Sequence, residues 1–219
     1  MINPIIFERE ANGNESYHDI YSRLVKDRVI FIAEAICQES ASIIAATLLW
    51  LNTQDSEEPI SLYINCEGGE VEAGLFVIYD MMNLVQAPIR TYCIGEASSA
   101  AAVILAAGTK GERYALPNSR IMIHEVQASD IGGSGTDIEN QTKSVRYINK
   151  RVTEILARHV GKPHSVVMKD CKIDRYMSAE EALEYGIIDH IIQPNKKIPD
   201  LVKSVRKSKK EVPVENNEL

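Results

Sequence analysis

The feature that most restricts this chain is a repeated order of apolar run, turn and helical pattern between Val29 and Gly108. Val29-Ile-Phe-Ile-Ala33 reads as a short strand. From Ser40 to Leu51 the residues Ile43, Ile44, Thr47, Leu48 and Leu51 recur at helical spacing. Ile60–Asn65 is a second strand, Glu67–Gly69 a turn, and Val71–Leu84 a second helix. Pro88 ends the connection, and Ile89–Ile94 is the next strand. Strands alternating with helices require a parallel sheet with right-handed crossovers, because a helix must carry the chain back before the next parallel strand begins. Sites in such sheets gather at the carboxyl ends of the strands. Gly68-Gly69 and Ser98-Ser99 both fall there. The pattern predicts a sharp corner at Gly95, then a helix starting near Ser98 and Ser99 and running to Gly108.

Beyond that unit, Arg113–Leu116 and Ser119–Ile123 read as strands joined by a turn at Pro117-Asn118, and His124 ends the second. Gln127–Gly135, with three glycines, reads as a loop. A long helix is expected over Thr136–Val160. Its Ile138, Val145, Ile148, Val152, Ile155 and His159 form a narrow stripe suited to packing on another helix or subunit. His159, near the helix end, reads as a partner for the helix dipole. A short helix follows at Val166–Lys172, then an extended link, Asp174–Met177. Ser178 to Glu181 is a capping box opening a helix that Gly186 closes, before a last strand at Ile187–Ile192. Residues 1–20 read as a flexible arm, 21–193 as the folded domain, and 194–219 as a disordered tail, basic between Lys203 and Lys210.

A chain of 219 residues with 45% hydrophobic content can bury one sizeable core. Its formal net charge of −7 argues against nucleic acid as a partner. No apolar run reaches transmembrane length, so the reading is of a chain without a membrane role, located in the cytoplasm. Cys37, Cys66, Cys93 and Cys171 are scattered without a CxxC pair, which suggests neither zinc nor disulfides.

Ser98 and Ser99 leave two readings open: an N-cap, common at helix starts, or a cap beside a nucleophile. Acyl transfer by serine needs a base, a carboxylate to orient it, and N–H donors for the oxyanion. His124 at a strand end, Asp174 on a link, and the N–H groups of Gly69 and Ala100 supply candidates. Each has a plainer role, as a strand cap, an ion-pair partner or a turn glycine. Spacing does not choose between them.

Longer motifs do. Tyr21-Ser-Arg-Leu-Val-Lys-Asp-Arg-Val29, Leu62–Asn65 with Gly68-Gly69, Cys93-Ile-Gly95, Leu105–Gly111, Leu116–Ser119, Met122-Ile-His124 and Met177–Ala182 with Glu184–Ile187 resemble the proteolytic-subunit family of Clp proteases, in order, from about Tyr17 to Ile192. The resemblance implies an α/β, ClpP/crotonase-like spiral of β-β-α units with a protruding handle helix, about 125–160. It implies that Ser99 is the nucleophile, His124 the base and Asp174 its orienter, with Gly69 and Ala100 as oxyanion donors. Residues 1–20 would then be the axial loop. It implies heptameric rings, of this chain or a paralogue, stacked in pairs around a chamber. A hexameric AAA+ unfoldase would feed in unfolded proteins and use the ATP, with no cofactor in this chain. The chain departs from the family at Glu67 (proline expected), Ala100 (methionine), Glu125-Val126 (glutamine-proline) and Lys172-Ile173 (acidic residue, arginine). Glu67, Glu96 and Glu125 beside the motifs lead us to expect acidic surroundings for the site. Two alternatives remain at this stage: a non-catalytic structural ring subunit, or a crotonase-fold acyl-CoA enzyme.

Overall fold

The computed structural model describes residues 4–9, 13 and 15–193. The proposed tail at 194–219, with its lysines, lies outside the described residues. Elements follow in the order β1 (Ile5–Arg9), β2 (Glu15–Asp19), α1 (Ile20–Lys26), β3 (Val29–Ile32), α2 (Gln38–Gln54), β4 (Ile60–Cys66), a π-helical turn (Val71–Leu75), α3 (Phe76–Leu84) and β5 (Ile89–Ser98). Then come α4 (Ala100–Ala106), β6 (Arg113–Ala115), β7 (Arg120–Ile123), α5 (Gly135–Val160), α6 (His164–Asp170), β8 (Arg175–Met177), α7 (Ala179–Tyr185) and β9 (His190–Ile191).

The expected parallel sheet is present. It has seven strands, with β3-β4-β5-β6-β9 as its main path and β7 and β8 branching beside β5. All pairings are parallel except β7 with β8. The segment read as a flexible arm contains an antiparallel pair of strands separate from the large sheet, β1 with β2. Phe7 on Tyr17, with ring centroids 5.4 Å apart, packs across it.

Strand register is marked on one face by an aromatic ladder. Phe31, Tyr63, Tyr92, Tyr114 and His190 stand opposite one another on successive strands. Their rings stack at 5.3, 4.6, 4.9 and 5.3 Å. A one-residue slip of any of these strands would turn its ring to the opposite face and break the ladder. α1 meets the ladder through Tyr21 on Phe31, while the residues that alternate with the ladder, Ile30, Leu62 and Thr91 among them, are buried on the other face. α4 lies wholly buried, from Ala100 to Ala106, so its small residues allow close approach to the sheet.

Two expectations about α5 change. Ile148, Val152 and Ile155 are buried in this chain's own core and so are not free for a second subunit. The helix is mostly exposed only in its first half, where Ile138 and Tyr147 are 42% and 63% exposed. The 3.6-residue stripe could not distinguish these partners, because it reports only that some apolar surface covers it. His159 is also no cationic dipole partner. Its ring is inserted beside Tyr79, whose hydroxyl meets Nε2 at 3.1 Å. Burial, then the Arg113 and Arg158 charges, push its pKa down from 6.5 to about 4, so it is neutral.

Arg113 ties this end of the molecule together. Its guanidinium meets Asp189 at 2.6 Å and donates to the carbonyls of Ala106 and His159, each at 3.2 Å. Asp189 also accepts the N–H of Gly111 and of Arg113. These bonds to Arg113 and Gly111 hold its carboxyl below the usual range, against the burial that raises it.

Asp189→Ala strands the Arg113 charge, whose side chain is 4% exposed. Urea unfolding should show a loss on the order of 3 kcal/mol. A second expectation concerns pH. Since the folded pKa of His159 lies below its unfolded value, the unfolded chain binds the extra proton between about 6.5 and about 4. Its contribution is therefore intact above 6.5 and lost as pH falls towards 4. His159→Phe should flatten the fall in urea midpoint across that window, and an unchanged slope would refute the assignment.

Candidate active site

The site grows from the end of β5. The strand does not stop at Gly95, as the sequence pattern suggests, but runs on to Ser98. Pairing with β4 shifts register here, from Ile64 opposite Cys93 to Cys66 opposite Ala97. Asn65 fills the irregularity, its Oδ1 accepting the N–H of Glu96 at 3.1 Å. A side chain at Gly95 would meet that oxygen at 2.4 Å, so glycine is needed there for close approach and not for a corner. Beyond Gly95 the strand takes a new neighbour, β7, with Ser98 opposite Met122.

The corner is Ser99 itself. Its φ of 56° and ψ of −122° are unfavourable for a residue with a Cβ. The Ser99 N–H is fixed by the Met122 carbonyl at 2.9 Å. The side chain makes no capping bond to α4. It stands instead 2.8 Å from His124 Nε2. Ser98 is no cap either: it is buried, and its hydroxyl donates to the Glu96 carboxylate at 2.6 Å.

His124 follows β7 directly. The antiparallel register of β7 on β8 sets Ile123 opposite Arg175, which brings the next residue outward, His124, to Asp174. Nδ1 lies 3.3 Å from Asp174 Oδ1, with the two side chains 14% and 48% exposed. The sequence offered only an extended link at this place. The pairing with β7 is what makes Asp174 a neighbour of His124.

The two N–H candidates face the same corner. Gly69 forms a parallel bridge with Ile36, in which the Gly68 carbonyl accepts from Ile36 and the Glu70 N–H donates to Ile36. The Gly69 N–H therefore points to the opposite side. A Cβ on Gly69 would lie 2.1 Å from the Ile36 carbonyl oxygen, and its φ is 146°. A Cβ on Gly68 would lie 2.7 Å from Ser99 Cβ and 3.3 Å from the Ala100 nitrogen. The Gly-Gly bend is thus wedged against the start of α4, where the Ala100 N–H has no intrahelical acceptor.

Ser99, His124, Gly69 and Ala100 open onto a cavity of about 170 Å³. Its walls include Val71, Leu75, Val126, Leu156, Thr153 and Cys171. The Thr153 hydroxyl is engaged by the Asn149 carbonyl and by His164, so it offers little to a ligand. Burial pushes the Cys171 thiol up to about 12, which keeps it uncharged. The cavity suits an apolar side chain. Sequence reasoning missed Thr153, Cys171 and His164 as wall residues and supports, since they come from α5 and from the two ends of α6, whose packing no spacing revealed. Gln127 was missed too: its amide Nε2 lies 3.3 Å from His124 Nδ1. Glu67, Glu96 and Glu125 are exposed around the site. Among the described residues, no group of three or more His, Cys, Asp or Glu could hold a metal ion, and no helix is long and apolar enough to cross a membrane.

Two comparisons bear on this arrangement. The family model described as Clp protease matches residues 12–195. An ATP-dependent Clp protease proteolytic subunit from Deinococcus radiodurans is 46% identical over 189 residues, which cover 86% of this chain and 91% of the relative. The matched span takes in every strand of the large sheet and the whole constellation around Ser99, and on that ground the chain belongs to the Clp protease family and is a serine peptidase of its proteolytic-subunit type.

Proposed function

We propose that this chain is a serine endopeptidase that uses Ser99, His124 and Asp174 to cut unfolded proteins inside a ring-shaped chamber. The observation that carries the reading is the 2.8 Å contact between Ser99 Oγ and His124 Nε2 at a strained backbone corner. His124 Nε2 takes the hydroxyl proton as Ser99 Oγ attacks the peptide carbonyl. The oxyanion formed is met by the N–H groups of Gly69 and Ala100. His124 then returns the proton to the leaving amine. Water, deprotonated by the same nitrogen, releases the acyl group from Ser99. Asp174 orients the imidazole throughout. The residue before the cut lodges its side chain in the apolar cavity, which favours residues near leucine in size.

Membership of the family supports a reading of the assembly. Exposed Ile43, Leu49 and Trp50 on α2, and Ile138 and Tyr147 on α5, leave apolar surface for neighbouring copies. Heptameric rings stacked in pairs, of this chain or with a paralogue, would cover it and enclose the site. A hexameric AAA+ unfoldase supplies unfolded chains at the expense of ATP, and this chain needs no cofactor of its own. Its place is the cytoplasm. The printed name of the Deinococcus relative, an ATP-dependent proteolytic subunit, supports this division of labour.

A fluorophosphonate probe followed by peptide mapping tests the nucleophile. Ser99→Ala should abolish labelling and lower kcat by about 10⁴-fold or more. Ser98→Ala should label normally and keep kcat within about threefold, because Ser98 ends β5 with its hydroxyl turned to the Glu96 carboxylate, while only Ser99 at the corner meets His124. Labelling that survives in Ser99→Ala but not in Ser98→Ala would sink the assignment.

Ring pairing gives a further expectation. Ile173, 77% exposed, stands where the resemblance puts an arginine, and it cannot donate a hydrogen bond. Adhesion between rings then rests on apolar surface such as Ile138 and Ile173, which salt does not weaken. Sedimentation across a salt series should show double rings persisting, while Ile138→Asp yields single rings. Steep dissociation as salt rises would contradict this.

A further inference from the structure

His124 Nδ1 has two suitors, and they ask for opposite protonation. Asp174 Oδ1 and Gln127 Nε2 each lie 3.3 Å from it. A neutral imidazole carries one N–H. When Nδ1 holds it and donates to Asp174, the Nε2 lone pair faces Ser99 and can take its proton. When the Gln127 amide donates to Nδ1, the ring hydrogen must sit on Nε2 and point at Ser99 Oγ, 2.8 Å away. In that form His124 cannot act as a base. The two forms have the same charge and the same number of protons. Solvent carries one proton from one ring nitrogen to the other.

We infer that Gln127 is a positioning residue that selects the tautomer of His124, competing with Asp174 for Nδ1 and holding part of the population in a resting form. The inference rests on the triad reading above. Three observations favour an even competition. A charge-assisted bond is ordinarily about 2.7–2.9 Å long, and the Asp174 contact is longer. The Asp174 side chain is 48% exposed, so water weakens its hold. Gln127 is placed by its neighbour: the Val126 N–H donates to Asn149 Oδ1 on α5 at 3.0 Å, and Val126 packs on the core. After Gln127 the chain runs out into an exposed segment, Ala128 to Ser134, so displacement of that segment would remove the competing donor and release the base.

The test uses the assembled full chain and a short fluorogenic peptide with leucine before the cut. Gln127→Met keeps the side-chain length and cannot donate. It should raise kcat about two- to fivefold, as expected if the competent form is between a fifth and a half of the population. In Asp174→Ala, Gln127 is the sole partner of Nδ1, so adding Gln127→Met should restore kcat by about fivefold over Asp174→Ala alone. Histidine-selective ¹⁵N spectra, with His124 identified by its loss in His124→Asn, should show the proton moving to Nδ1 in Gln127→Met. A fall in kcat for Gln127→Met would mean that the amide presents its oxygen and reinforces Asp174, which overturns the inference. So would an unchanged kcat, or no gain in the Asp174→Ala background. Absence of fluorophosphonate labelling at Ser99 in the unsubstituted chain would overturn the triad reading as well, and that arm is read separately.

Discussion

The site depends on the path of β5. This strand keeps β4 on one side as far as Ala97, while on the other side β6 gives way after Cys93 to β7, which pairs from Glu96 on. Because it outruns β6, and with Ala97 reaches the last residue of β4, Ser98 ends the strand and the chain must turn into α4 within one residue. Ser99 takes that turn at φ 56°. Such a conformation costs on the order of 1–3 kcal/mol. The completely buried α4, with Val103, Ile104 and Leu105 in the core, offsets it, since each such side chain contributes about 1.5–3 kcal/mol on burial. The strain is thereby held where it aims the hydroxyl outward from the sheet.

Around that corner the rigid and the adjustable parts separate cleanly. The Gly68-Gly69 bend is fixed to Ile36 on one side and to Ser99 on the other, with no room for a methyl group. N–H donors held in this way need no reorganisation when charge develops near them. The aromatic ladder and the Arg113–Asp189 pair fix the register of the strands that carry them. The imidazole is different. Its Nε2 end is set by Ser99, whereas its Nδ1 end lies between two side chains, Asp174 and Gln127, neither at close hydrogen-bond length. Those two partners come from the residue just before β8 and from the start of the exposed segment before α5.

Much of the element order was legible in residue types. The glycine pair, the proline at 88, the capping box at Ser178 and the stop at Gly186 act through local backbone chemistry, and all stand where the pattern places them. The failures share one cause. Gly95 reads as a corner, but it accommodates Asn65 from a strand thirty positions earlier. His159 reads as a charged helix-end residue, but Tyr79 and burial make it neutral. The stripe on α5 reads as a surface for a second subunit, but half of it covers this chain's own core. In each case the deciding contact is distant in sequence.

By itself, the sequence determined the strand and helix order, the parallel sheet and the family to which the chain belongs, because periodicity and motif spacing are local properties written in consecutive residues. It also named Ser99, His124, Asp174, Gly69 and Ala100 as candidates, through the resemblance. Tertiary structure alone decided that β7 and β8 pair antiparallel, and so that His124 and Asp174 adjoin. It alone decided that the strained residue is Ser99 and that Gln127 reaches the same ring nitrogen as Asp174. These are questions of register and of which surfaces meet, and they are settled by long-range packing among strands and helices that no stretch of residues specifies on its own.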